Sequence, residues 1–363
     1  MAMGERESLI SAIAACGKFP VFAGFDGAID RIYTLVKSGD GSASGRIGTI
    51  GEFAKIIAAA AGKSTNVERL LTEERCGGNA VLCSLAMGSL GQLPTILANV
   101  GKPPEKAFAP LAKCGATTYP IGDCNRTDAI EFFDGKIMLT DSKPLRSLTY
   151  DSTLAAIGAN SLGPLLSSMK AIAFTNWTMT PAGTEIFAKI QRDDLPSVPR
   201  SVPILFDIAD PARRSDGELE ELLNLLAKFA QSHRTILSVN VKEFERISSV
   251  SHVAAGDGGS FRCAMEELRS RWPIEWVVHR VDGAECCCRD GYCCAKGFFT
   301  GNPHTTTGGG DHFNGGLIFG LLCALPMPLA LMVGNAVSGA YVRSGRSPNR
   351  TELATFIGNG VTQ

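Results

Sequence analysis

The residues best suited to chemistry lie near the carboxy terminus, where Thr305-Thr306-Thr307 runs into Gly308-Gly309-Gly310 and then Asp311-His312-Phe313-Asn314-Gly315-Gly316. Phe313, Leu317, Leu321 and Ala324 follow at helical spacing, so the glycines open a helix. Consecutive residues without side chains leave backbone N–H groups free to close around an anion, and the positive end of the helix dipole adds to the attraction. Gly308, Gly309 and Gly310 therefore predict a phosphate or oxyanion site. A carboxylate directly behind such a hole is misplaced unless it takes a proton from a nucleophile approaching the bound phosphoryl group. Asp311 is read as that general base, against the plainer alternative of a helix cap after a glycine turn.

Other motifs fit less well. A dinucleotide fingerprint needs a third glycine where Phe313 stands, and an acidic residue about twenty positions on that is missing. Gly62-Lys63-Ser64 has the ending of a P-loop, but Ile57 occupies the place of its first glycine. Cys286-Cys287-Cys288 and Cys293-Cys294 flank Asp290-Gly291 with no C-x-x-C pair. Neighbouring cysteines of a strand point to opposite faces, so the pattern predicts a hairpin with thiols as small apolar fillers rather than a zinc site. His304 and His312 flank the glycine loop and read as bystanders or nucleotide-side contacts.

The glycine loop resembles the carboxy-terminal signature of the ribokinase-like (PfkB) family of carbohydrate and nucleoside kinases, D-T-x-G-A-G-D-x-F-x-x-G, with Thr305 at the first Asp and Gly309 at the Ala. The resemblance recurs in order along nearly the whole chain. The family's amino-terminal glycine pair and Asn are similar to Gly77-Gly78-Asn79-Ala80, its strand-end Asp to Asp30, and its N-x-x-E motif to Asn240-Val241-Lys242-Glu243. Asp207 is similar to the strand-end Asp that precedes that motif. The chain departs from the pattern at Leu82, where a second Asn is common, at His279-Arg280-Val281-Asp282-Gly283, where T-x-G is usual, and in the spacing of Asp30, which leaves Asp26 as a rival.

What the resemblance implies is a phosphotransferase that moves the ATP γ-phosphoryl group to a hydroxyl of a small sugar or sugar derivative. Asp30, Gly77, Gly78 and Asn79 would hold substrate hydroxyls. Asn240 and Glu243 would organise Mg²⁺ through water, Asn240 would also lie on the nucleotide side, and Asn335 would lie in the adenine pocket. A nucleoside kinase of the same fold and a non-catalytic ligand-binding relative stay open beside it. Family members often dimerise through their lids, so the resemblance also carries a homodimer.

These residues need a frame. Val21 to Phe25, Thr95 to Val100, Ala171 to Thr175, Ile204 to Asp207, Thr235 to Val239 and Trp276 to His279 read as buried strands. Between them lie amphipathic stretches such as Gly217 to Gln231, with Leu219, Leu222, Leu223, Leu226 and Phe229 on one face. Strand and helix in alternation predict a three-layer α/β/α fold around a mostly parallel sheet. Residues from about 31 to 75 and from 117 to 150 break the alternation, the second with two strands about Asp134-Gly135. They are expected to form a small β lid on one ribokinase-like domain spanning 1–363.

Composition narrows the partners. With 35 basic and 36 acidic residues the formal net charge is −1, which gives nucleic acid no electrostatic reason to bind. From His312 to Val342 there is no charged side chain. Pro326 and Pro328 divide that stretch, so it predicts two buried helices rather than a membrane span. MAMGERESLI lacks a basic start and a long apolar run, and 12 cysteines without a leader read as free thiols, which predicts a reducing, cytoplasmic setting.

Overall fold

The computed structural model describes residues 3–37, 45–255 and 260–360. Its strands in chain order are β1 Pro20–Phe25, β2 Ala28–Lys37, β3 Val67–Gly77, β4 Leu93–Ala98, β5 Thr117–Pro120, β6 Asn125–Phe132, β7 Gly135–Asp141, β8 Ala171–Thr175, β9 Ile204–Asp207, β10 Thr235–Asn240, β11 Glu275–Arg280, β12 Gly283–Cys288 and β13 Gly291–Lys296. Nine of them form one sheet in the order β13-β12-β11-β10-β9-β8-β1-β4-β5, and β3-β2-β6-β7 form a second. From β11 to β5 every pairing in the large sheet is parallel, while β12 and β13 close its edge antiparallel.

Helices cover both faces of the large sheet, which is why β8 and β9 are apolar and buried at nearly every position. Along β1 the pleat sends Phe22 into one core with Phe174, Phe206 and Phe229, whose rings meet edge-on or tilted. Val21 and Ala23 go to the other core with Ile96, Phe313 and Leu317. The three-layer arrangement is as expected. Helix Asp216–Ala230 buries the predicted leucines and Phe229. Its first turn is fixed by a capping box in which Ser215 and Glu218 each bond the other's backbone N–H.

The uncharged stretch forms helices Gly309–Leu322 and Met327–Ser344, separated at Pro326. They pack so closely that a Cβ on Gly316 would lie 2.9 Å from the Cα of Gly334. Among the described residues no helix is long and apolar enough to cross a membrane.

Three boundaries differ from the sequence reading. Of the stretch 117–150, Thr117–Pro120 pairs with β4 and belongs to the large sheet. Of the stretch 31–75, the small sheet takes strands that begin at Ala28 and end at Gly77, with a helix at Ile50–Ala59 between them, and residues 38–44 lie outside the described residues. Both hairpins close one residue early: Phe132 pairs with Gly135 and Cys288 with Gly291, so Phe133-Asp134 and Arg289-Asp290 make the turns. Each glycine opens the returning strand at a positive φ, 152° and 104°, which a side chain would resist. The cysteines of β12 alternate as the pleat requires, Cys287 in one core and Cys286 and Cys288 in the other.

Candidate active site

Parallel strands all end at one edge, and loops after such ends are where open α/β sheets hold ligands. Asp26 follows β1 there, and its carboxylate is fully engaged. Oδ1 accepts from Ala80 N–H at 2.9 Å and Thr175 Oγ1 at 3.0 Å, and Oδ2 accepts from Asn79 N–H and Asn176 Nδ2, both at 2.8 Å. Asp26 therefore caps helix Asn79–Ser89 from 53 residues away, and Gly78, not Asn79, holds the N-cap position. Gly78 has φ 95°, and a Cβ there would lie 2.8 Å from the Cα of Gly27, so the glycine pair lets two backbones meet.

Asp311 stands in the first turn of helix Gly309–Leu322, buried, with Gly308 as N-cap at φ 90°. It is not the cap. Its Oδ1 is buried without a hydrogen-bond partner. Among the described residues the backbone N–H groups of Gly308, Gly310 and Asp311 reach no backbone carbonyl outside the helix, and Gly309 N–H makes only a 3.5 Å contact with Thr306 O. A carboxylate and a set of open N–H donors thus share one helix start.

The neighbours of Asp311 are acidic. Burial raises its pKa well above the ordinary value, and the charges of Asp207 and Asp26 push the same way, while the Asn79 side chain opposes them. Asp207, at the end of β9, is raised to about 6, by burial first and also by Asp26. It accepts from Ala209 N–H at 2.9 Å and from Asn314 Nδ2 at 2.7 Å, and Asn314 Oδ1 accepts from Ser238 Oγ at 2.6 Å. This buried chain ties the helix that carries Asp311 to β9 and β10.

Asn240 ends β10 and caps helix Val241–Val250 in a reciprocal box with Glu243. Asn240 Nδ2 donates to Glu243 Oε1 at 2.6 Å, and Asn240 N–H donates to Oε2 at 2.9 Å. Glu243 is raised to about 8, chiefly by burial and then by Asp207. Among the described residues no three His, Cys, Asp or Glu side chains converge as a cage for a metal ion. The residues present instead suit a divalent cation held through water and phosphate oxygens: Asp311 offers an unpartnered oxygen, and Glu243 a buried carboxyl whose charge a cation would favour.

Beside the helix start opens a cleft of about 810 Å³ whose lining includes Gly309, Gly310, Asn240, His279, Phe298 and Asn335. Asn335 donates its amide to the carbonyls of Ala295 and Lys296, at 3.1 and 3.2 Å, which leaves its oxygen as the atom it can offer a ligand. His279 lies against Gly310, where a Cβ would meet its ring at 3.1 Å, and burial lowers its pKa to about 4, so it faces the cleft uncharged.

On the other side, Asp30 lies in β2 with its carboxylate against Gly77, where a Cβ would come within 2.6 Å of Oδ2. Burial raises the pKa of Asp30, and Arg75 and Lys136 of the small sheet oppose the shift. The predicted residues thus form two neighbourhoods with Asp311 between a glycine-paired helix start and the cleft. Leu82, where a polar residue was expected, packs toward the loop: a Cβ on Gly308 would meet Leu82 Cδ1 at 2.8 Å.

Several participants escaped the sequence reading. Asn314 is indistinguishable in sequence from an ordinary helix residue, and Asp26, a rival of Asp30 in the sequence, gave no sign there of its four bonds to the scaffold. His312, read as a bystander or a nucleotide-side contact, is buried with its Nδ1 2.8 Å from the Gly308 carbonyl. Its position directly after Asp311 was the only signal.

A sequence profile of the prokaryotic ketohexokinase family matches residues 8–359. A ketohexokinase of Haloferax volcanii is 27% identical over 353 residues, covering 93% of this chain and 90% of its own. In fold the chain is similar to a ribokinase of Thermotoga maritima, with TM-score 0.66, 15% identity, and coverage of 94% of this chain and 99% of that one. It is also similar to a ribokinase of Cryptococcus neoformans in complex with ADP, with TM-score 0.62, 15% identity, and coverage of 93% and 99%.

Proposed function

The chain belongs to the prokaryotic ketohexokinase family, and from that premise we propose that it transfers the γ-phosphoryl group of ATP to a hydroxyl of a ketohexose with Asp311 as general base. The observation that carries this reading is the buried Asp311 carboxyl, one oxygen unpartnered, at a helix start whose N–H donors are open. A base needs reach and a suitable pKa, and burial among acidic neighbours raises that of Asp311 toward working pH.

Each residue then has a task. Asp30 and Asn79 hold acceptor hydroxyls beside Gly77 and Gly78, while Gly308, Gly309 and Gly310 direct N–H groups at the transferring phosphoryl oxygens. Asp311 receives the proton as the acceptor oxygen attacks phosphorus and the bond to the ADP leaving oxygen breaks. Asn335 and His279 border the base and ribose in the cleft. Mg²⁺, held through water near Asn240 and Glu243, supplies neutralising charge at the phosphates when bound. The family match favours this over a nucleoside kinase or a non-catalytic relative.

The small sheet serves as a lid that excludes water and so limits wasteful hydrolysis. Its exposed Leu71, Met138 and Leu139 suit cover by the lid of a second copy, and light scattering of the wild type against Leu139→Lys tests that homodimer. Work in the cytoplasm fits the free cysteines.

The test is ADP release from Mg·ATP across ketohexoses, aldoses, polyols and nucleosides, with Asp311→Ala as control. Ketohexose-dependent turnover lost in the control is the expected result. Turnover confined to nucleosides, or undiminished in the control, would overturn the reading.

A further inference from the structure

Two side chains hold the backbone of the glycine loop from behind. Tyr341, from helix Met327–Ser344, donates its hydroxyl to the Thr307 carbonyl at 3.1 Å. His312 approaches the next carbonyl, that of Gly308, with Nδ1 at 2.8 Å, beside its own backbone N–H, which donates to the same oxygen at 3.0 Å. Because a carbonyl only accepts, Nδ1 carries the proton, and Nε2 accepts from Ser347 Oγ at 2.8 Å. The imidazole lies flat on the Tyr341 ring, with centroids 3.5 Å apart and an angle of 11°. Both side chains are buried, so neither bond competes with water.

These contacts add a second hold on both carbonyls, the Gly308 oxygen also accepting the His312 backbone N–H and the Thr307 oxygen lying 3.5 Å from Thr305 Oγ1, and so bear on where the loop N–H groups go. In a trans peptide the C=O and N–H of one unit point in opposite directions. Holding the Thr307 carbonyl toward Tyr341 turns Gly308 N–H away from it, and holding the Gly308 carbonyl toward His312 does the same for Gly309 N–H. A continuous helix would offer the Thr307 carbonyl to Asp311 N–H. Here Tyr341 takes it instead, and Asp311 N–H has no backbone carbonyl.

We propose that His312 and Tyr341 are positioning residues for the anion hole, acting through the Gly308 and Thr307 carbonyls to keep the loop N–H groups aimed at the transferring phosphoryl group. The proposal rests on the kinase reading of the loop. Neither residue lines the cleft. Their effect falls on the transition state, where a misdirected donor weakens binding of the phosphoryl oxygens and leaves the rest of the nucleotide in its cleft.

The experiment compares wild type with Tyr341→Phe, which keeps the ring and removes only the hydroxyl, and with His312→Leu and His312→Asn. Asparagine can present an N–H near the position of Nδ1, whereas leucine cannot. Turnover of Mg·ATP with the best sugar is measured alongside calorimetric titration of ADP alone and of ADP with aluminium fluoride. Tyr341→Phe and His312→Leu are expected to lower kcat about 10- to 100-fold. Their affinity for ADP should change less than about twofold, while affinity for ADP with aluminium fluoride falls in proportion to kcat. His312→Asn should recover most of the loss. Unchanged kcat, a fall in ADP affinity equal to the fall in kcat, or a His312→Asn protein as impaired as His312→Leu would overturn the proposal. A wild type silent toward every sugar would overturn the kinase reading alone, and the aluminium fluoride titration would still decide the role of the pair.

Discussion

Lys136 Nζ donates to Thr307 Oγ1 at 3.2 Å, so the first turn of the small sheet's returning strand touches the glycine loop 171 residues further along the chain. The same ammonium group favours the ionised form of Asp30. One cation thus links Asp30 to the glycine loop.

Lys136→Met should therefore loosen closure without unfolding the protein. An exposed charged contact contributes about 1 kcal/mol or less to stability, so the melting temperature is expected to stay within a few degrees. The loss should appear in kinetics, as an acceptor KM about fivefold higher and a larger fraction of ATP hydrolysed without phosphorylating sugar. Parallel assays of ADP and sugar phosphate check this. An unchanged ratio of the two products would show that the contact has no part in closure.

Asp311→Asn separates chemistry from binding, with turnover expected to fall about 10²- to 10⁴-fold and ADP affinity to be retained. Because the wild-type carboxyl titrates above the ordinary range near 4, the acid limb of kcat/KM should lie above that range, activity rising with pH as the base loses its proton. Stability runs the other way. A carboxyl with a raised folded pKa binds more protons folded than unfolded, so its contribution is present at low pH and lost as pH rises. Asp311→Asn should therefore melt higher than wild type at pH 8, by calorimetry, while turning over far less. A limb near pH 4, or equal melting, would contradict the assignment.

The sheet could be read from the sequence because its strands are continuous apolar runs, and burial on both faces leaves no other reading for Ala171–Thr175 or Ile204–Asp207. The glycine loop was legible because only backbone donors are left when three side chains are missing. What stayed hidden depends on contacts between distant residues. Asp26 reads only as a rival of Asp30 until four donors from two other segments meet it, and Asn314 reads as one more helix position until it bonds Asp207. The hairpins differed by one residue because glycine's positive φ was used to open the strand after each turn.

Asp26 yields a prediction of its own. It accepts four hydrogen bonds and donates none, so Asp26→Asn would set an amide NH₂ against N–H donors and free the start of helix Asn79–Ser89. Removing a charged acceptor from such a buried network should cost about 3 kcal/mol in urea unfolding. Its charge also raises the pKa of Asp207 and Asp311. The acid limb of kcat/KM should accordingly move to lower pH in the variant. Intact stability would remove Asp26 from the scaffold, and an unmoved limb would remove it from the electrostatics of the base.

His312 makes the fold sensitive to acid. Burial lowers its pKa to about 4, against an ordinary value near 6.5 in the unfolded chain. Between those values the unfolded state binds a proton that the folded state excludes, so stability rises with pH across that window and is lost as pH falls. The shift corresponds to on the order of 3 kcal/mol by pH 4. Asparagine at this position keeps a donor for Gly308 and has nothing to titrate, while His279, also lowered to about 4, stays in both proteins and cancels. Urea unfolding of wild type and His312→Asn at pH 7, 5.5 and 4.5 should therefore show the wild type more stable at neutral pH and its advantage shrinking in acid. Parallel curves would mean that the imidazole titrates in the fold as it does in the unfolded chain, and would remove His312 from the acid sensitivity of the fold.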